Sequence, residues 1–574
     1  MREVFVGRGR WGLSGWGVVI VAAMATMVVY RVLLVGRSPF GWDEAAHAVR
    51  GTLIAYDWQQ GDWLGFLYDT YRQIVWPPLN SWLLGLFFTL FGVSETTAGL
   101  ASLVAYGLTP VLLYGCSRQM AGQLWSEDDG VRHELVGWMA ALLFLTTPVV
   151  IRFAPQVMLE LPGVLALVAA LYYYFWVMGA EIEGERRPWR YGLLAVMIGV
   201  VYFTRIQYGV LLALAIAVTR LWAVAFVPEK LWSRENLALG ITLGVILGIW
   251  FAYPAKLTAT WGWLVNETRI NDDSSWAGRW LFYPRALFTL SHAPWFFLVH
   301  LAAFLWSWRL WSWRPMRLLL TFLTISLGLA LFHRNQQARY LLLMLPAFYL
   351  VTAYQLGEVW VWLGGQAWGF WGRGVLSLML VTVLVGGFWG GLGVPVGERN
   401  GTMGVMEEVV VVGQRYEAPL VLSMVGLQPL HPPLLDWELI KAGVVAPPRA
   451  GAGAQLDEEW ALMARLEGMK GMDVVAEPVV RTLNRYQRGG GATLYLGLPQ
   501  RASYANPSGF PMFWERLYDE ERFDGVIVVT KVTPFTPYLL TTLEPTLAGS
   551  GLVRVEAIVV EAENEGYQIE VYER

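Results

Sequence analysis

Long apolar runs constrain the fold of this chain more than any other feature of its sequence. An α-helix needs about 20 apolar residues to cross the hydrocarbon core of a bilayer. Runs of roughly that length recur from the first residues to about residue 394. They lie at approximately 13–36, 96–116, 135–153, 161–179, 191–204, 207–225, 237–254, 291–308, 317–333, 340–360 and 374–394. The sequence therefore predicts a polytopic α-helical membrane protein with about eleven transmembrane helices.

The composition supports a membrane location and excludes several other classes. Hydrophobic residues make up 56% of the 574 residues and charged residues only 15%, whereas soluble domains are about 25% charged. The net charge of −3 gives no indication of nucleic-acid binding. A single cysteine, Cys116, excludes an internal disulfide and a cysteine-based zinc site. The first apolar run is too long for a cleaved signal peptide, so we expect it to stay as the first transmembrane helix.

Basic residues predict the orientation in a plasma membrane. Lysine and arginine concentrate in cytoplasmic loops next to helix ends. On that rule the N-terminus is cytoplasmic, and the first loop (37–95) and the C-terminal region lie outside the cell. This topology requires that residues 77–92 do not cross the bilayer. The apolar run after Pro77-Pro78 is short for a span, which favours a juxtamembrane or re-entrant helix. The basic clusters that set the orientation are Arg2/Arg8/Arg10, Arg118/Arg132, Arg186/Arg187/Arg190, Lys230/Arg234 and Arg309/Arg314/Arg317.

The sequence changes in character after about residue 395. Long apolar runs give way to short strand-like runs at 419–422, 493–496, 525–529 and 553–560, with a helical pattern at 458–470. Strands that alternate with helices indicate an α/β domain. We therefore predict a membrane module over residues 1–395 and an extracytoplasmic α/β domain over residues 396–574.

Acidic side chains near the first and fourth predicted spans are candidates for chemistry. Asp43 and Glu44 follow the first span directly, and membrane proteins keep acids near the bilayer mainly where they bind, transport or catalyse. A helix N-cap is the alternative for Asp43. His47, one turn later, could join Asp43 at a metal or contact an acceptor, although a plain polar loop histidine is favoured. Glu160 opens a predicted span, where the helix dipole alone could explain it, or it is a second carboxylate facing the first.

Basic side chains at the same predicted face are candidates for binding phosphate. Arg205 interrupts a pair of apolar helices, and Arg334 and Arg339 flank a polar turn before Tyr340. The planar guanidinium fork suits pairs of phosphate oxygens. Snorkelling towards lipid headgroups is the alternative for each arginine.

The predicted loop at 255–290 carries further polar candidates. Arg269, Asp272 and Asp273 lie close together in that loop. They could contact an acceptor or a metal ion, and a solvated turn is the alternative for the two aspartates.

Four short motifs, in their order along the chain, carry a resemblance to a known superfamily. They are Asp43-Glu44, Trp76-Pro77-Pro78-Leu79 with its continuation to Glu95, Met158-Leu159-Glu160-Leu161-Pro162, and Gln337-Ala338-Arg339-Tyr340-Leu341-Leu342 ahead of Leu345-Pro346. Over about residues 10–395 the chain resembles the GT-C integral membrane glycosyltransferases. The similarity is to the branch that contains protein O-mannosyltransferases and the lipid A aminoarabinose transferase.

This resemblance implies an inverting transfer of a hexose or pentose from a polyprenyl-phosphate donor at the outer face of the membrane. Asp43 would be the general base and Glu44 would orient the acceptor, which is a protein, lipid or glycan. Glu160 matches a family acid that is usually aspartate. Arg205 and Arg339 would hold the lipid phosphate, with juxtamembrane helices of the first loop as a platform beside it.

Two other functional classes fit the same residues. Paired acids and arginines could serve a polyprenyl-lipid transporter or flippase, or the chain could be a non-catalytic membrane scaffold. No cofactor is required, although Asp43 and Glu160 would suit a divalent cation. The sugar, the acceptor and the oligomeric state stay open.

Overall fold

A computed structural model describes most of the membrane module and part of the region beyond it. The described residues are 13–35, 37, 40, 42–71, 73, 76–125, 130–182, 184–225, 227, 231–252, 256–257, 260, 276–290, 292–293, 295–332, 337–393, 403–415, 420–423, 437–438, 441, 484–488, 491–497, 525–531, 545, 547–562 and 565–573. The chain divides into two compact units. The first comprises Met1–Arg37, Tyr71–Asn80 and Gly99–Val396, and the second comprises Ser38–Thr70, Ser81–Ala98 and Gly397–Arg574.

Helices dominate both units. Those that begin before residue 200 are α1 (Leu13–Val29), α2 (Trp42–Gln60), α3 (Trp63–Tyr71), α4 (Leu79–Phe91), α5 (Glu95–Gly122), α6 (Gly130–Thr146), α7 (Pro148–Phe153), α8 (Glu160–Ile182) and α9 (Pro188–Thr204). Those that follow are α10 (Ile206–Ala225), α11 (Arg234–Phe251), α12 (Trp276–Leu290), α13 (Phe296–Ser307), α14 (Arg314–Phe332), α15 (Leu345–Gly364), α16 (Gly369–Leu392) and α17 (Met403–Arg415). A π-helical turn at Tyr30–Leu34 extends α1, and 3₁₀ turns lie at Trp308–Leu310 and Ala338–Leu343.

Each of the eleven apolar runs overlaps one of these helices, and the run at 135–153 overlaps two, α6 and α7. Six helices among the described residues are long and apolar enough to cross a bilayer. They lie at Leu13–Leu34, Glu95–Gly122, Glu160–Ile182, Arg234–Phe251, Arg314–Leu331 and Gly369–Leu392. The helices of the other five runs are shorter or less apolar, so the count of eleven spans stays a prediction. Helix α4, at 13 residues, is about 20 Å long and therefore short for a span.

Two helices, α8 and α15, lie in the core of the first unit. Each has 14 buried residues. In contrast, Trp250 alone is buried on α11, and α16 buries five of its residues. Because α11 and α16 are apolar yet exposed, we expect lipid tails to cover them. Interhelical hydrogen bonds add to the packing, as where Gln355 Nε2 donates to Ser307 Oγ over 2.7 Å.

In the second unit, α2 and α4 pack closely through glycines. A Cβ atom on Gly51 would lie 2.4 Å from Leu84 Cβ, and one on Gly85 would lie 2.6 Å from Ile54 Cγ2. Small residues at such crossings let two backbones approach. Helices α2 and α4 of the first loop therefore form a closely packed pair.

Trp437 lies against these first-loop helices within the second unit. Its side chain is fully buried, and its ring centroid is 4.8 Å from that of Phe40 and 5.9 Å from that of Phe88. The indole nitrogen donates to Glu95 Oε1 over 3.2 Å, and Lys441 Nζ lies 2.8 Å from the same oxygen. Phe40, Phe88 and Glu95 are thus in contact with a segment far along the chain.

Strands of the second unit form one mixed sheet. They are β1 (Leu420–Ser423), β2 (Asn484–Arg488), β3 (Gly491–Gly497), β4 (Gly525–Lys531), β5 (Val553–Ala562) and β6 (Glu565–Glu573). Their order is β2-β3-β1-β4-β6-β5. Strand β1 pairs in parallel with β3 and β4, and the other pairs are antiparallel. Each of the four predicted strand runs overlaps a strand, and the first does so from Leu420 onward. The predicted helix at 458–470 lies outside the described residues, so the α/β domain stays a prediction.

Candidate functional site

A carboxylate and two arginines meet at the first residue of α8. Glu160 is 1% exposed. Its Oε1 lies 3.2 Å from Arg205 Nη2 and 3.7 Å from Arg339 Nε. Two guanidinium groups thus share one carboxylate, which leaves the cluster with an excess positive charge. Glu160, Arg205, Arg339 and Tyr340 are called the Glu160 cluster below.

A break between two helices places Arg205 in this cluster. Helix α9 ends at Thr204, and Arg205 has an extended backbone (φ −151°, ψ 110°) before α10 begins at Ile206. Gly163, one turn into α8, makes the space for it. A Cβ atom on Gly163 would lie 3.0 Å from Arg205 Cβ and 3.1 Å from the ring of Tyr208. The extended residue and the glycine together bring a mostly buried arginine to Glu160.

A 3₁₀ turn supplies the second arginine and an aromatic ring. Arg339 and Tyr340 lie in the Ala338–Leu343 turn that precedes α15. The guanidinium carbons of Arg205 and Arg339 are each 5.7 Å from the centroid of the Tyr340 ring, within the range of cation–π attraction. The Arg339 side chain is 18% exposed, so a ligand can reach it.

The predicted site residues are thus brought together in part. Glu160, Arg205, Arg339 and Tyr340 form one cluster, although nothing in this geometry tests the catalytic role predicted for Glu160. The other candidates in the basic and loop groups lie outside the described residues. They are Arg334, Arg269, Asp272 and Asp273.

Asp43, Glu44 and His47 belong to the second unit, in the first two turns of α2. Asp43 is partly exposed, whereas Glu44 is 6% and His47 is 3% exposed. The expectation of a polar loop histidine is therefore wrong, because His47 lies within a helix among small apolar residues and is buried. The spacing of four residues puts Asp43 and His47 on one helix face.

A metal site finds no support in the described residues. Within them, no three histidine, cysteine, aspartate or glutamate side chains come close enough to hold a metal ion. The divalent cation predicted for Asp43 and Glu160 therefore stays a prediction, and no step of the chemistry below depends on it.

Lys256 lies in the predicted loop at 255–290, and the structure buries its side chain. It is fully buried, and its Nζ lies 2.9 Å from the centroid of the Trp250 ring and 4.3 Å from that of Tyr71. In the part of the chain that the structure describes, Nζ has no hydrogen-bond partner. Burial lowers the pKa of Lys256 to about 7. Its charge is therefore set by small changes of pH near neutrality.

Comparisons with known proteins agree with this arrangement of helices. Residues 75–253 match the family model described as dolichyl-phosphate-mannose-protein mannosyltransferase. The apo structure of ArnT from Cupriavidus metallidurans is 15% identical with a TM-score of 0.56. The structure of the same protein bound to undecaprenyl phosphate is 16% identical with a TM-score of 0.54. Each comparison covers 97% of this chain and 98% of the ArnT chain. No curated protein sequence matches the chain.

The chain has the fold of the ArnT structure, in agreement with the resemblance to GT-C glycosyltransferases that its four motifs carry. Two of those motifs, the one that begins at Trp76 and the one that contains Glu160, fall inside the matched region. The likeness extends over nearly the whole of both chains.

Proposed function

We propose that this protein is a glycosyltransferase that moves a hexose or pentose from a polyprenyl-phosphate donor to a protein, lipid or glycan acceptor at the outer face of the membrane. The Glu160 cluster carries the proposal, because two arginines around one carboxylate retain positive charge for a phosphate. Support comes from the ArnT structure that binds undecaprenyl phosphate and from the dolichyl-phosphate-mannose family model.

Arg205 and Arg339 bind the donor phosphate in this proposal. Their planar forks match pairs of phosphate oxygens. Glu160 holds both guanidinium groups at 3.2 and 3.7 Å and so fixes their orientation before the donor arrives. As the sugar leaves, the phosphate gains negative charge, and preorganised cations beside it stabilise that charge in the transition state.

Asp43 acts as the general base. It takes the proton of the acceptor hydroxyl as the hydroxyl oxygen attacks the anomeric carbon. The bond from that carbon to the phosphate oxygen breaks, and its electron pair leaves with the lipid phosphate. One displacement of this kind inverts the anomeric configuration. Asp43 suits the role because it is partly exposed. Glu44 and His47, which are buried, support the start of α2 and orient the acceptor.

Release of the lipid phosphate tests the proposal directly. Purified protein in nanodiscs is given polyprenyl-phosphate hexoses or pentoses, and free lipid phosphate is followed with time. We expect Asp43→Asn to slow release about 10²–10⁴-fold, the usual contribution of a general base. Asp62→Asn is the matched control. Asp62 lies in the same loop and accepts from the Gly65 amide over 2.9 Å, a role that asparagine also fills.

Three results would contradict the proposal. Equal rates for wild type and Asp43→Asn would remove Asp43 from the chemistry. Movement of intact donor across the membrane without release of lipid phosphate would indicate a transporter or flippase. A protein that binds no donor, and whose Glu160 cluster tolerates substitution, would be a scaffold.

A further inference from the structure

A second cluster of arginines lies at the opposite end of α8 from Glu160. Helix α8 has 23 residues, which corresponds to about 33 Å at 1.5 Å per residue. Its last turn borders a cavity of about 60 Å³ whose charged lining residues are Glu181, Arg186, Arg220, Glu235, Arg314 and Arg317. We call this cavity the arginine pocket. Its four arginines and two glutamates give the lining an excess of two positive charges.

Three of these arginines share the single carboxylate of Glu181. The distances to its oxygens are 3.3 Å from Arg314 Nη1, 3.7 Å from Arg220 Nη1 and 3.9 Å from Arg186 Nε. Tyr191 also donates its hydroxyl to Glu181 over 2.9 Å. One carboxylate near three guanidinium groups cannot neutralise the charge of all of them.

Arg317 and Arg220 carry buried donors that find no acceptor among the described residues. Arg317 is 7% exposed, and its Nε has no hydrogen-bond partner among the described residues. Within the same residues, Nε and Nη2 of Arg220 also lack a partner. Buried donors of charged groups are costly to leave unmade. Both side chains line the arginine pocket, so an anion placed there would accept from them.

The N-terminus of α11 adds to the positive potential of the pocket. Ser233, the N-cap of this 18-residue helix, lines the cavity together with Asn236. Its hydroxyl oxygen accepts from the Asn236 amide over 3.3 Å. The positive end of a helix dipole favours an anion at this position.

We propose that the arginine pocket binds a phosphate group, carried either by an anionic lipid headgroup or by free phosphate. Guanidinium forks recognise phosphate oxygens in pairs, and basic pockets between transmembrane helices bind anionic headgroups. The cavity has room for roughly four water-sized volumes at about 15 Å³ each, which is comparable to one phosphate. Bound phosphate would join α8, α10, α11 and α14 at this face. The site is separate from the proposed sugar transfer.

Ligand-dependent thermal stability tests the pocket in the full chain. Protein in neutral phosphatidylcholine nanodiscs or detergent is titrated with phosphatidic acid or with inorganic phosphate. We expect a saturable rise in Tm for wild type and at least a tenfold weaker apparent Kd for Arg317→Gln, since a charged hydrogen bond is lost. Arg314→Gln tests the same pocket at a more exposed arginine. The substitution there should disturb folding less than Arg317→Gln.

Two control variants locate the effect. Arg309→Gln changes an exposed arginine that lies over the Trp306 ring and does not line the pocket, so it should keep the wild-type Kd. Arg339→Gln alters the Glu160 cluster, so any part of the shift that it removes belongs to phosphate bound there, and the part lost in Arg317→Gln belongs to the arginine pocket. A rise with both probes identifies free phosphate as sufficient, and a rise with phosphatidic acid alone identifies a headgroup. Either result supports the pocket.

The proposal is overturned by any of three results. One is the absence of a Tm rise with both probes. Another is an equal shift in wild type, Arg317→Gln and Arg314→Gln. The third is a shift lost in Arg339→Gln but kept in Arg317→Gln, which would place the phosphate at the other end of α8.

Discussion

The two ends of α8 each hold a glutamate shared among arginines, but the backbone that supplies those arginines differs. At the Glu160 end they come from an extended residue between two helices and from a 3₁₀ turn. At the Glu181 end, Arg220 lies within α10 and Arg314 is the first residue of α14. Non-helical backbone at membrane depth is tolerated only inside protein or beside a water-filled cavity. At the Glu181 end only Arg186, which follows α8, lies outside a helix, whereas neither arginine at Glu160 lies in an α-helix.

Burial separates the two ends in the same direction. The arginine side chains at Glu160 are 9% and 18% exposed. At Glu181, Arg314 and Arg186 are 39% and 54% exposed, and Arg220 alone, at 18%, is as buried as Arg339. Exposed ion pairs contribute little to stability, and buried pairs are costly to break. The two clusters therefore share a charge pattern but should respond differently to substitution.

Removal of each glutamate should expose that difference most strongly. We expect Glu160→Ala to cost about 3–5 kcal/mol, because two mostly buried arginines lose their carboxylate. Glu181→Ala should cost less, since water can reach Arg314 and Arg186. Thermal or denaturant unfolding of both variants in one detergent gives the comparison. Equal losses would mean that the arginines at Glu160 are solvated in the membrane.

The release of lipid phosphate should depend on the arginines at the Glu160 end of α8. Arg339→Gln should lower the rate of lipid-phosphate release about 10²–10³-fold, the usual effect of removing one donor that stabilises charge in the transition state. Arg309→Gln, at an exposed arginine outside both clusters, should retain the wild-type rate. A full rate in Arg339→Gln would remove the phosphate-binding role assigned to the Glu160 cluster.

Lys256 differs from the buried arginines because its charge depends on pH near neutrality. Burial lowers the pKa of Lys256 to about 7, while the unfolded value stays near 10.4. Between these values the unfolded chain binds a proton that the folded chain does not, so stability rises with pH from about 7 towards 10. The slope should be no more than about 1 kcal/mol per pH unit after solvent screening.

Unfolding measured at several pH values from 7 to 9, on wild type and on Lys256→Met, checks this slope. Lys256→Met keeps the apolar stem over Trp250 and carries no titrating group, so its stability should rise less with pH. Parallel pH profiles for the two proteins would show that Lys256 keeps its charge throughout.

The smallest expected effect concerns two glycines on α8. Gly163→Ala should cost about 1 kcal/mol through overpacking, because the added Cβ would lie 3.0 Å from Arg205 Cβ. Gly179→Ala is the matched control on the same helix. There the nearest atom, Gln123 Nε2, is 3.6 Å away, so the alanine should be neutral or stabilising. Equal stability of the two variants would mean that Arg205 moves freely.

Particular residues show which parts of the structure could be predicted from sequence patterns. Arg205 was a candidate because it interrupts two apolar helices, Glu160 because it opens a predicted span, and Arg339 because it flanks a polar turn. All three lie in one cluster. The burial of Lys256 and His47 was missed, since neither residue lies in a long apolar run. Strands β2 and β6 were missed as well, because polar residues dominate the first and alternate through the second.

The sequence by itself determined where the long apolar helices lie. The prediction of a loop over 255–290 was wrong for Trp276–Leu290, which form α12, because the apolar residues there are interrupted by polar ones and by Pro284. A bilayer requires every backbone group to be satisfied within a span, so a long apolar run is sufficient to predict a helix. Only the tertiary structure decided which charges meet. Glu160 lies between Arg205 and Arg339 because α8, the break after α9 and the turn before α15 pack together, with Gly163 leaving the space. Contacts of this kind depend on the shapes of residues far apart in the chain, which no local pattern encodes.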